Sequence, residues 1–332
     1  MGYLICVFAV FINILFAESG IVVACSDKYA KYLIPSLRYL VDELGCSLPL
    51  EVWHAGGELS PVNIAIFNKI SGVTVKNVMD FMPKPASQYW GWHVKPLIIS
   101  LSSFDEVLLM DADLFFFKDP SLLFSHEKYI ERGAFFFRDR RIFLNPYKLS
   151  GIANSYARKA GTIESYMNRV NYFKKLIDEP SECMPEDWRH YWNNCLPSYE
   201  NPFSTEHQES GCVVIDKNRH AKGLAQIVKL NEAPKLIYEF VYGDKETYWI
   251  GMEMAKEPYF VNKHHAYTLV SGSKHVVDIV QFLDGELFYQ QKFPANVNEE
   301  CKLLERFEGV RALTKSEYET LKFMYNRIGG RK

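Results

Sequence analysis

The sequence predicts an α/β fold built around a single, mainly parallel mixed β-sheet flanked by helices. Short β-branched runs alternate with stretches of helical periodicity, and the N-terminal strand–helix–strand order indicates a parallel βαβ unit. The chain has 332 residues, of which 48% are hydrophobic and 15% aromatic, which is ample for a sizeable core. We therefore expect residues 19–332 to form one domain.

The first strand is expected at Ile21–Cys25, where a β-branched run ends in polar residues. Apolar residues then recur at helical spacing over 32–44, and Leu50–Trp53 follows as a second strand. A further helix is expected at 94–102, directly before the apolar strand Glu106–Met110. This order is typical of a parallel sheet, whose ligands bind beyond the carboxyl ends of the strands where the strand order reverses.

The second half of the chain resumes the strand pattern after an irregular stretch. Strands are expected at 134–137 and 212–216, and a helix at 244–255. Between them, residues 145–205 mix Pro, Trp, Tyr and charge, and we interpret them as an insertion that covers the sheet. Asp284-Gly285 lies between apolar runs and predicts a hairpin turn.

The overall charge argues against a nucleic-acid partner. The net charge is −2 at pH 7, whereas neutralising phosphates needs a clear basic excess. No Lys/Arg run of the nucleic-acid type is present. The expected ligand is therefore not a polyanion held by charge alone.

Residues 1–18 predict a targeting segment. An apolar run from Tyr3 to Ala17 is broken only by Asn13, and its length suits a signal peptide while falling short of the roughly 20 residues that span a bilayer. The segment could be cleaved near Ala17, be kept as a short signal anchor, or instead form a buried first strand or helix. We expect targeting into the secretory pathway.

The seven cysteines fit an oxidising compartment only in part. Cys183 and Cys195 flank a short loop rich in Trp and Pro, and we predict that they pair. Cys25 and Cys212 lie in or beside apolar runs and are expected to be buried thiols. An odd count leaves at least one sulfur free or paired elsewhere.

The sequence VLLMDADLFFFK, from Val107 to Lys118, carries the strongest chemical signal. Burying Asp111 and Asp113 beside apolar runs is costly unless a cation or strong hydrogen bonds compensate. Mg²⁺ and Mn²⁺ favour one or two carboxylates plus phosphate oxygens. The motif therefore predicts a cation that holds a diphosphate, although a strand-ending acidic turn would give the same letters.

This motif lies in a stretch that resembles the fungal α-1,3-mannosyltransferases of glycosyltransferase family 71. The similar stretches span about two-thirds of the chain in family order: KPLIISLSSFDEVLLMDADLFFFKDP (95–120), GIVVACSDKYAKYLIPSLRYL (20–40), ESGCVVIDKNRH (209–220) and GDKETYWIG (243–251). The resemblance implies a GT-A fold for residues 19–332, Mn²⁺ (or Mg²⁺) as cofactor, GDP-mannose as donor and retention of anomeric configuration. It also implies type II topology in the Golgi, or more broadly residence in the Golgi or ER lumen.

The resemblance assigns roles around the acidic motif. Asp111 and Asp113 match the family's metal-binding acids, with Asp113 as direct ligand and Asp111 holding ribose or metal-bound water. Lys95 could neutralise diphosphate or orient Asp111, or be a helix-surface lysine. Asp27 and Tyr29 follow the first strand, where the nucleotide base should lie, and Tyr29 either stacks on guanine or packs at the surface.

Three further residues are assigned to the donor sugar. Gly211 would let the backbone approach the sugar closely, unless it only starts a strand. Asp244 and Glu246 would contact the transferring mannose or stabilise positive charge at its anomeric carbon. Asp244 is also a good helix N-cap, and both roles could hold together.

The third metal ligand departs from the family pattern. Gln281 stands where a histidine is expected, and His264, His265 and His275 lie nearby in the sequence. We take His265 as the substitute ligand, although each histidine could equally be a surface residue.

The acceptor is expected to be a glycan or glycoprotein. Sugar rings stack on aromatic faces, so the aromatic residues of the insertion form a predicted acceptor platform: Trp188, Tyr191, Trp192 and Tyr199. Two other functions remain open, an inactive carbohydrate-binding relative and a hexosyltransferase that uses UDP-galactose or UDP-glucose. A metal-dependent phosphatase is disfavoured because no second ligand cluster is evident.

Overall fold

The computed structural model describes residues 18–82, 91–140, 171–192, 208–238, 241, 243–271, 274–291, 301–305 and 309–328. Within them the strands are β1 Ser19–Ala24, β2 Leu50–His54, β3 Val73–Asn77, β4 Glu106–Met110, β5 Leu114–Phe116, β6 Ala134–Arg138, β7 Gln208–Asp216, β8 Phe260–Val261, β9 Tyr267–Ser271, β10 Lys274–Leu283, β11 Glu286–Gln291, β12 Cys301–Glu305 and β13 Gly309–Ala312.

The helices lie mainly between the strands of the first two-thirds of the chain. They are α1 Asp27–Asp42, α2 Pro61–Phe67, α3 Val94–Leu101, α4 Glu127–Arg132, α5 Glu186–Trp192, α6 Ala221–Glu232, α7 Pro234–Ile237, α8 Thr247–Ala255 and α9 Lys315–Ile328. None of the helices in the described ranges is both long and apolar enough to cross a bilayer. The predicted targeting segment lies outside these ranges apart from its last residue.

The main sheet has seven strands in the order β3-β2-β1-β4-β7-β6-β8. Pairing is parallel from β3 to β4 and between β6 and β8, and only β7 runs antiparallel to its two neighbours. The predicted α/β class with a mainly parallel mixed sheet is therefore confirmed. Because β2 and β4 lie on opposite sides of β1, the strand order reverses between β1 and β4, which is where a ligand site is expected.

Both faces of this sheet are covered, which explains why its central strands are continuously apolar. Side chains alternate between faces along a strand, so Leu109 packs towards α3, α6 and α8 while Leu108 packs towards α1. Close packing of α6 on α8 requires glycine at Gly251, where a Cβ would lie 2.4 Å from Ile227 Cγ1. These two layers hold the carboxyl ends of the strands rigidly.

A second sheet corrects the prediction that there is only one. It has six strands in the order β13-β12-β9-β10-β11-β5, with antiparallel pairing throughout. The predicted hairpin at Asp284-Gly285 joins β10 to β11, and the φ angles of +50° and +84° at these two residues are those that a type I′ turn needs. The other strands of this sheet are short, and their weak periodicity did not identify them in the sequence.

The two sheets meet at the acidic motif. Strand β4 of the main sheet ends at Met110. Strand β5 begins at Leu114 and belongs to the second sheet, where it pairs with β11. The three residues Asp111-Ala112-Asp113 form the corner between them. Their positions are thus fixed by both sheets at once.

The predicted covering insertion at 145–205 lies largely outside the described residues. Its described part, 171–192, contributes Phe173, Ile177 and Trp188 to the core on the α6–α8 side of the main sheet. This part therefore packs on that face of the sheet, and the covering role of the whole insertion stays a prediction.

Candidate active site

A pocket of about 390 Å³ opens at the carboxyl ends of β1, β2, β3 and β4. Its position at the reversal of strand order is the one that the sequence predicted. The residues that line it are Ala24, Cys25, Ser26, Tyr29, Trp53, His54, Ala55, Glu58, Val78, Gly91, Trp92, Val94, Lys95, Asp111, Ala112 and Asp113. Polar groups therefore meet aromatic side chains in one cleft, as is common in ligand sites.

The acidic corner forms one wall of this pocket. The Asp111 N–H donates to the Gly211 carbonyl at 2.8 Å, and the Leu114 N–H donates to the Asp111 carbonyl at 3.0 Å. These backbone bonds hold a tight turn, and both Asp111 and Asp113 line the same cleft. The two carboxylates are thus directed to a common space, as the sequence predicted.

Lys95 joins Asp111 to Asp244. Its Nζ lies 2.5 Å from Asp111 Oδ1 and 3.4 Å from Asp244 Oδ1. Burial disfavours the charged lysine, but the two carboxylates together outweigh that effect and raise its pKa. Lys95 is therefore a buried ammonium group and not a helix-surface lysine.

Both acids of the corner have raised pKa values. Burial raises the pKa of Asp113 to about 6, and the negative charge of Asp111 adds to the effect. Burial also raises the pKa of Asp111, which the charge of Lys95 opposes. Carboxylates in such a setting gain from an added positive charge.

A second lysine, partly buried, continues the network, and sequence reasoning missed it. Lys245 Nζ donates to Asp139 Oδ2 and Glu209 Oε2, each at 2.7 Å, and Arg140 Nε lies 3.3 Å from Asp139 Oδ1. The Gly-Asp-Lys-Glu turn before α8 drew attention to its acids, whereas its lysine also faces the site. Asp139 follows β6 without any motif that would have identified it.

The acidic corner belongs to a network of opposite charges. Within the described residues, the carboxylates of Asp111, Asp113, Asp244, Glu209 and Asp139 lie near Lys95, Lys245 and Arg140. No group of three His, Cys, Asp or Glu side chains positioned to hold a metal occurs in the part that the structure describes. The residues therefore fit a cation held by two carboxylates that completes its shell with ligand oxygens.

Of the two residues predicted to lie at the nucleotide base, Tyr29 lines the pocket and Asp27 does not. Tyr29 lines the pocket with 36% of its surface exposed; burial raises its pKa, and the charges of Asp113 and Asp111 add to this. Asp27 does not line the pocket. Its Oδ1 accepts hydrogen bonds from the Ser60 N–H and the Asn63 side chain, both at 2.8 Å, so it ties α1 to the start of α2.

Gly211 and Glu246 were predicted to contact the donor sugar. In the structure, both contact other residues of the protein. A Cβ at Gly211 would lie 2.0 Å from the Gln291 amide nitrogen, which donates to Glu209 at 2.7 Å, so the glycine makes room for Gln291. Glu246 is buried, and its carboxylate accepts from the Trp249 indole at 2.6 Å. Neither residue is among those that line the pocket, and their sugar contacts stay predictions.

The candidate third metal ligands also lie off the pocket wall. His265 Nδ1 is 3.1 Å from the Asp139 carbonyl, and the buried Gln281 donates to the Arg138 carbonyl at 2.6 Å. The side chain of His275 lies outside the described residues. His265 is thus close to the Asp139–Lys245 end of the network, and metal ligation by it stays a prediction.

The structure contradicts the acceptor role predicted for Trp188. This side chain is 3% exposed, with its ring centroid 5.5 Å from that of Trp249 and the Arg138 guanidinium over its face. It is a core residue and presents no free surface to a sugar. The side chains of Tyr191, Trp192 and Tyr199 lie outside the described residues.

The predicted disulfide between Cys183 and Cys195 is untested. Cys183 is a free thiol whose sulfur accepts a hydrogen bond from Arg132 at 3.2 Å, and Cys195 lies outside the described residues. Cys25 and Cys212 are buried thiols, as predicted. Burial raises the pKa of Cys25 to about 12, with Asp27 and Glu58 adding to the effect.

Known proteins similar to this chain carry mannosyltransferase names. The chain is 27% identical over 201 residues to a Candida albicans protein named putative alpha-1,3-mannosyltransferase MNN15, covering 59% of this chain and 24% of that one. It is 25% identical over 255 residues to the alpha-1,3-mannosyltransferase MNT3 of Saccharomyces cerevisiae, covering 73% and 39%. The chain thus spans less than half the length of the curated relatives that it matches.

Solved glycosyltransferase structures are also similar, at low sequence identity. The mannosyltransferase Ktr4p from S. cerevisiae aligns with a TM-score of 0.44 and 13% identity, covering 71% of this chain and 66% of that one. The galactosyltransferase LgtC aligns with a TM-score of 0.40 and 15% identity, covering 73% of each.

A family described as "Mannosyltransferase putative" matches residues 18–281. The match includes the acidic corner, both lysines and the whole seven-stranded sheet, whose mixed order and flanking helices agree with the expected GT-A type of fold. Because it covers more than half of the 332 residues, the chain belongs to this mannosyltransferase family, as its resemblance to the fungal α-1,3-mannosyltransferases implied.

Proposed function

We propose that the protein is a metal-dependent retaining glycosyltransferase, an α-1,3-mannosyltransferase that moves mannose from GDP-mannose to a mannosylated glycan on a protein. The observation that carries the proposal is the acidic corner: Asp111 and Asp113 line one cleft beside the buried Lys95. The alternative of a plain strand-ending turn does not explain why two carboxylates are held at one pocket beside a buried lysine.

The cation is the first part of the proposal. Asp111 and Asp113 would hold Mn²⁺ or Mg²⁺, and a divalent cation supplies charge neutralisation for a departing diphosphate. The raised pKa values of both acids support this role. They show that burial disfavours the ionised carboxylates, and a bound cation would offset that cost.

Lys95 would keep the acidic corner in its binding geometry. Its ammonium group contacts Asp111 Oδ1, which limits the rotation of that carboxylate. Its second contact, with Asp244 Oδ1, fixes the position of Asp244 relative to the corner. Preorganised charge of this kind lowers the cost of reorganisation during reaction.

Asp244 would act on the donor sugar from beside Lys95. It is only 2% exposed, so its charge is screened little by water and acts strongly on neighbouring charges. In glycosyl transfer, positive charge develops at the anomeric carbon, and a fixed carboxylate nearby stabilises it.

The donor and acceptor assignments rest on the relatives. The curated relatives named above are alpha-1,3-mannosyltransferases, which supports mannose as the transferred sugar and GDP-mannose as donor. The proposal further places a glycan or glycoprotein acceptor in the Golgi or ER lumen, as the resemblance of the sequence to the fungal family and the targeting character of residues 1–18 imply. The protein would be lumenal or held by a type II anchor.

Release of GDP from GDP-mannose by the full chain, with and without Mn²⁺, tests the proposal. We expect metal-dependent release that falls at least about 100-fold in Asp113→Ala, since even outer partners of metal ligands are worth about 10- to 100-fold. Glu127→Ala is the control, because it removes a carboxylate that is 85% exposed on α4 and should leave the rate unchanged.

Two outcomes would contradict the proposal. Release that is independent of metal, or equal in Asp113→Ala and wild type, would remove the role of the acidic corner. Binding of GDP-mannose without any turnover, on the full chain with a panel of mannosides, would instead favour an inactive carbohydrate-binding relative.

A further inference from the structure

Glu58 is a pocket acid to which the proposed chemistry gives no role. It follows β2 in a short 3₁₀ turn, Gly56–Glu58, and lines the same cleft as Asp111 and Asp113. In the part of the chain that the structure describes, it forms no ion pair, and burial raises its pKa while the Ala55 amide opposes this. A half-buried carboxylate that lines a ligand cleft without a cation is costly unless a ligand supplies donors.

The sheet sets the distance between Glu58 and the acidic corner. The corner follows β4 and Glu58 follows β2, with β1 between them. Neighbouring strands lie about 4.8 Å apart, so the carboxyl ends of β2 and β4 are separated by roughly 10 Å along one edge of the sheet. A nucleotide with its diphosphate at Asp113 would pass Tyr29 and present its base to the β2 end of the pocket.

The other acid near this end of the pocket has different partners. Asp27 Oδ1 is engaged by Ser60 and Asn63, and Asp27 lies off the cleft. His54 also lines this end, and its Nδ1 is 2.7 Å from the Gly56 carbonyl. Among the described residues that line the pocket, Glu58 is thus the acid at the base end.

The chemistry of the bases makes a carboxylate selective. An ionised carboxylate only accepts hydrogen bonds. Guanine presents two adjacent donors, N1–H and the N2 amino group, which match the two oxygens of a carboxylate. Uracil presents one N–H between two carbonyl oxygens, which a carboxylate repels.

We propose that Glu58 selects a guanine nucleotide by accepting hydrogen bonds from N1–H and from the N2 amino group. This inference rests on the proposed function, since it assumes a nucleoside diphosphate with its phosphates at the acidic corner. It gives the chain a residue that separates a GDP-sugar from a UDP-sugar, which the acidic corner does not.

Calorimetric titration with free nucleotides tests the inference on the full chain in the presence of Mn²⁺. Wild type should bind GDP about tenfold or more tightly than inosine diphosphate, which lacks the N2 amino group, because hydrogen bonds to charged groups are the strong ones. UDP should bind more weakly than either. In Glu58→Gln the preference for GDP over inosine diphosphate should fall to about twofold or less.

A further nucleotide, which Glu58→Gln should bind better than wild type does, distinguishes a change of selectivity from a folding defect. Xanthosine diphosphate carries a carbonyl at C2, which the Glu58 carboxylate repels and a glutamine amide can donate to. Its affinity relative to GDP should therefore rise at least about tenfold in Glu58→Gln. Glu43→Gln, an exposed substitution at the end of α1, should keep the wild-type preferences.

The outcomes separate this inference from the proposed function. GDP binding with the same preferences in wild type and Glu58→Gln, or tighter binding of UDP than of GDP by wild type, would overturn the inference alone. If wild type binds none of the nucleotides with Mn²⁺, the proposed function fails and the inference fails with it.

Discussion

Helix α8 carries a buried carboxylate near each end, and the two have different surroundings. Asp244, just before the helix, is 2% exposed, and Glu253 in its last turn is 0% exposed. Each accepts a hydrogen bond from a tyrosine hydroxyl, Tyr248 at 3.0 Å and Tyr259 at 2.6 Å. Their other partners differ, and that difference separates a site from a structural bond.

In the part of the chain that the structure describes, the hydrogen-bond donors of Glu253 are neutral. Besides Tyr259, it accepts from the N–H of Ser181 at 2.7 Å and from its hydroxyl at 2.8 Å. These bonds attach the segment 171–192 to α8. A buried acid with several hydrogen-bond donors is satisfied within the fold and does not need a ligand.

Asp244 instead shares a lysine with the acidic corner. Lys95 contacts both Asp244 and Asp111, so a change at Asp244 reaches the pocket through one ammonium group. Burial alone therefore does not identify a functional acid in this molecule. The charged partner that links the acid to the cleft does.

Replacing each acid by its amide gives the largest contrast. Asp244→Asn should lower turnover roughly 100-fold, in the range for loss of one preorganised electrostatic group. Glu253→Gln should lower the free energy of unfolding by about 2 kcal/mol or more, since bonds to a charged group are lost, while the rate per folded molecule stays within about twofold. Urea unfolding and GDP release measure the two effects on the same samples.

A reversed pattern would break the comparison. If Glu253→Gln lost turnover as strongly as Asp244→Asn at equal folded fraction, both ends of α8 would belong to the site. If Asp244→Asn kept wild-type turnover, Lys95 would not transmit the charge of Asp244 to the acidic corner.

The two tyrosines sharpen the comparison with a smaller effect. Tyr248 and Tyr259 are both buried and both pack on Phe136, with centroid distances of 6.3 Å and 5.7 Å, so their substitutions by phenylalanine are closely matched. Each should lower the free energy of unfolding by about 1–3 kcal/mol. Only Tyr248→Phe should also lower kcat, by up to about tenfold, because its hydroxyl orients Asp244.

The donor KM separates orientation from a general loss of packing. Tyr248→Phe should change kcat more than KM, whereas Tyr259→Phe should leave both unchanged in the folded protein. Equal kcat values for the two variants would mean that the rotation of Asp244 is fixed by Lys95 alone.

The sequence was most informative where local pattern and chemistry coincide. The strand Glu106–Met110 was predicted with its observed bounds, because a continuous apolar run that stops at two acids has one interpretation in a parallel sheet. The same run identified Asp111 and Asp113, and the family resemblance added Lys95 and Asp244. These residues all lie together in the structure.

The rest of the site depends on distant parts of the chain. Asp139 and Glu209 contact Lys245 across 106 and 36 residues of sequence, and no local pattern encodes such pairs. The family resemblance assigned Glu246 to the sugar together with Asp244; in the structure its carboxylate accepts from the Trp249 indole, and its sugar contact stays a prediction. In the antiparallel sheet the hairpin of β10 and β11 was predicted, whereas the pairing of β11 with β5 joins residues 289–291 to residues 114–116, and no local pattern encodes that contact.

Trp188→Ala should have the smallest effect on catalysis. Trp188 packs on Trp249 in the first turn of α8 and is part of the core on that side of the main sheet. Its truncation should lower the free energy of unfolding by about 3–5 kcal/mol, as for other buried aromatic side chains, while the KM for acceptor stays unchanged in the molecules that remain folded. Kinetics at 15 °C beside urea unfolding measure both, and a raised acceptor KM at full folding would return Trp188 to the acceptor site that its sequence context first indicated.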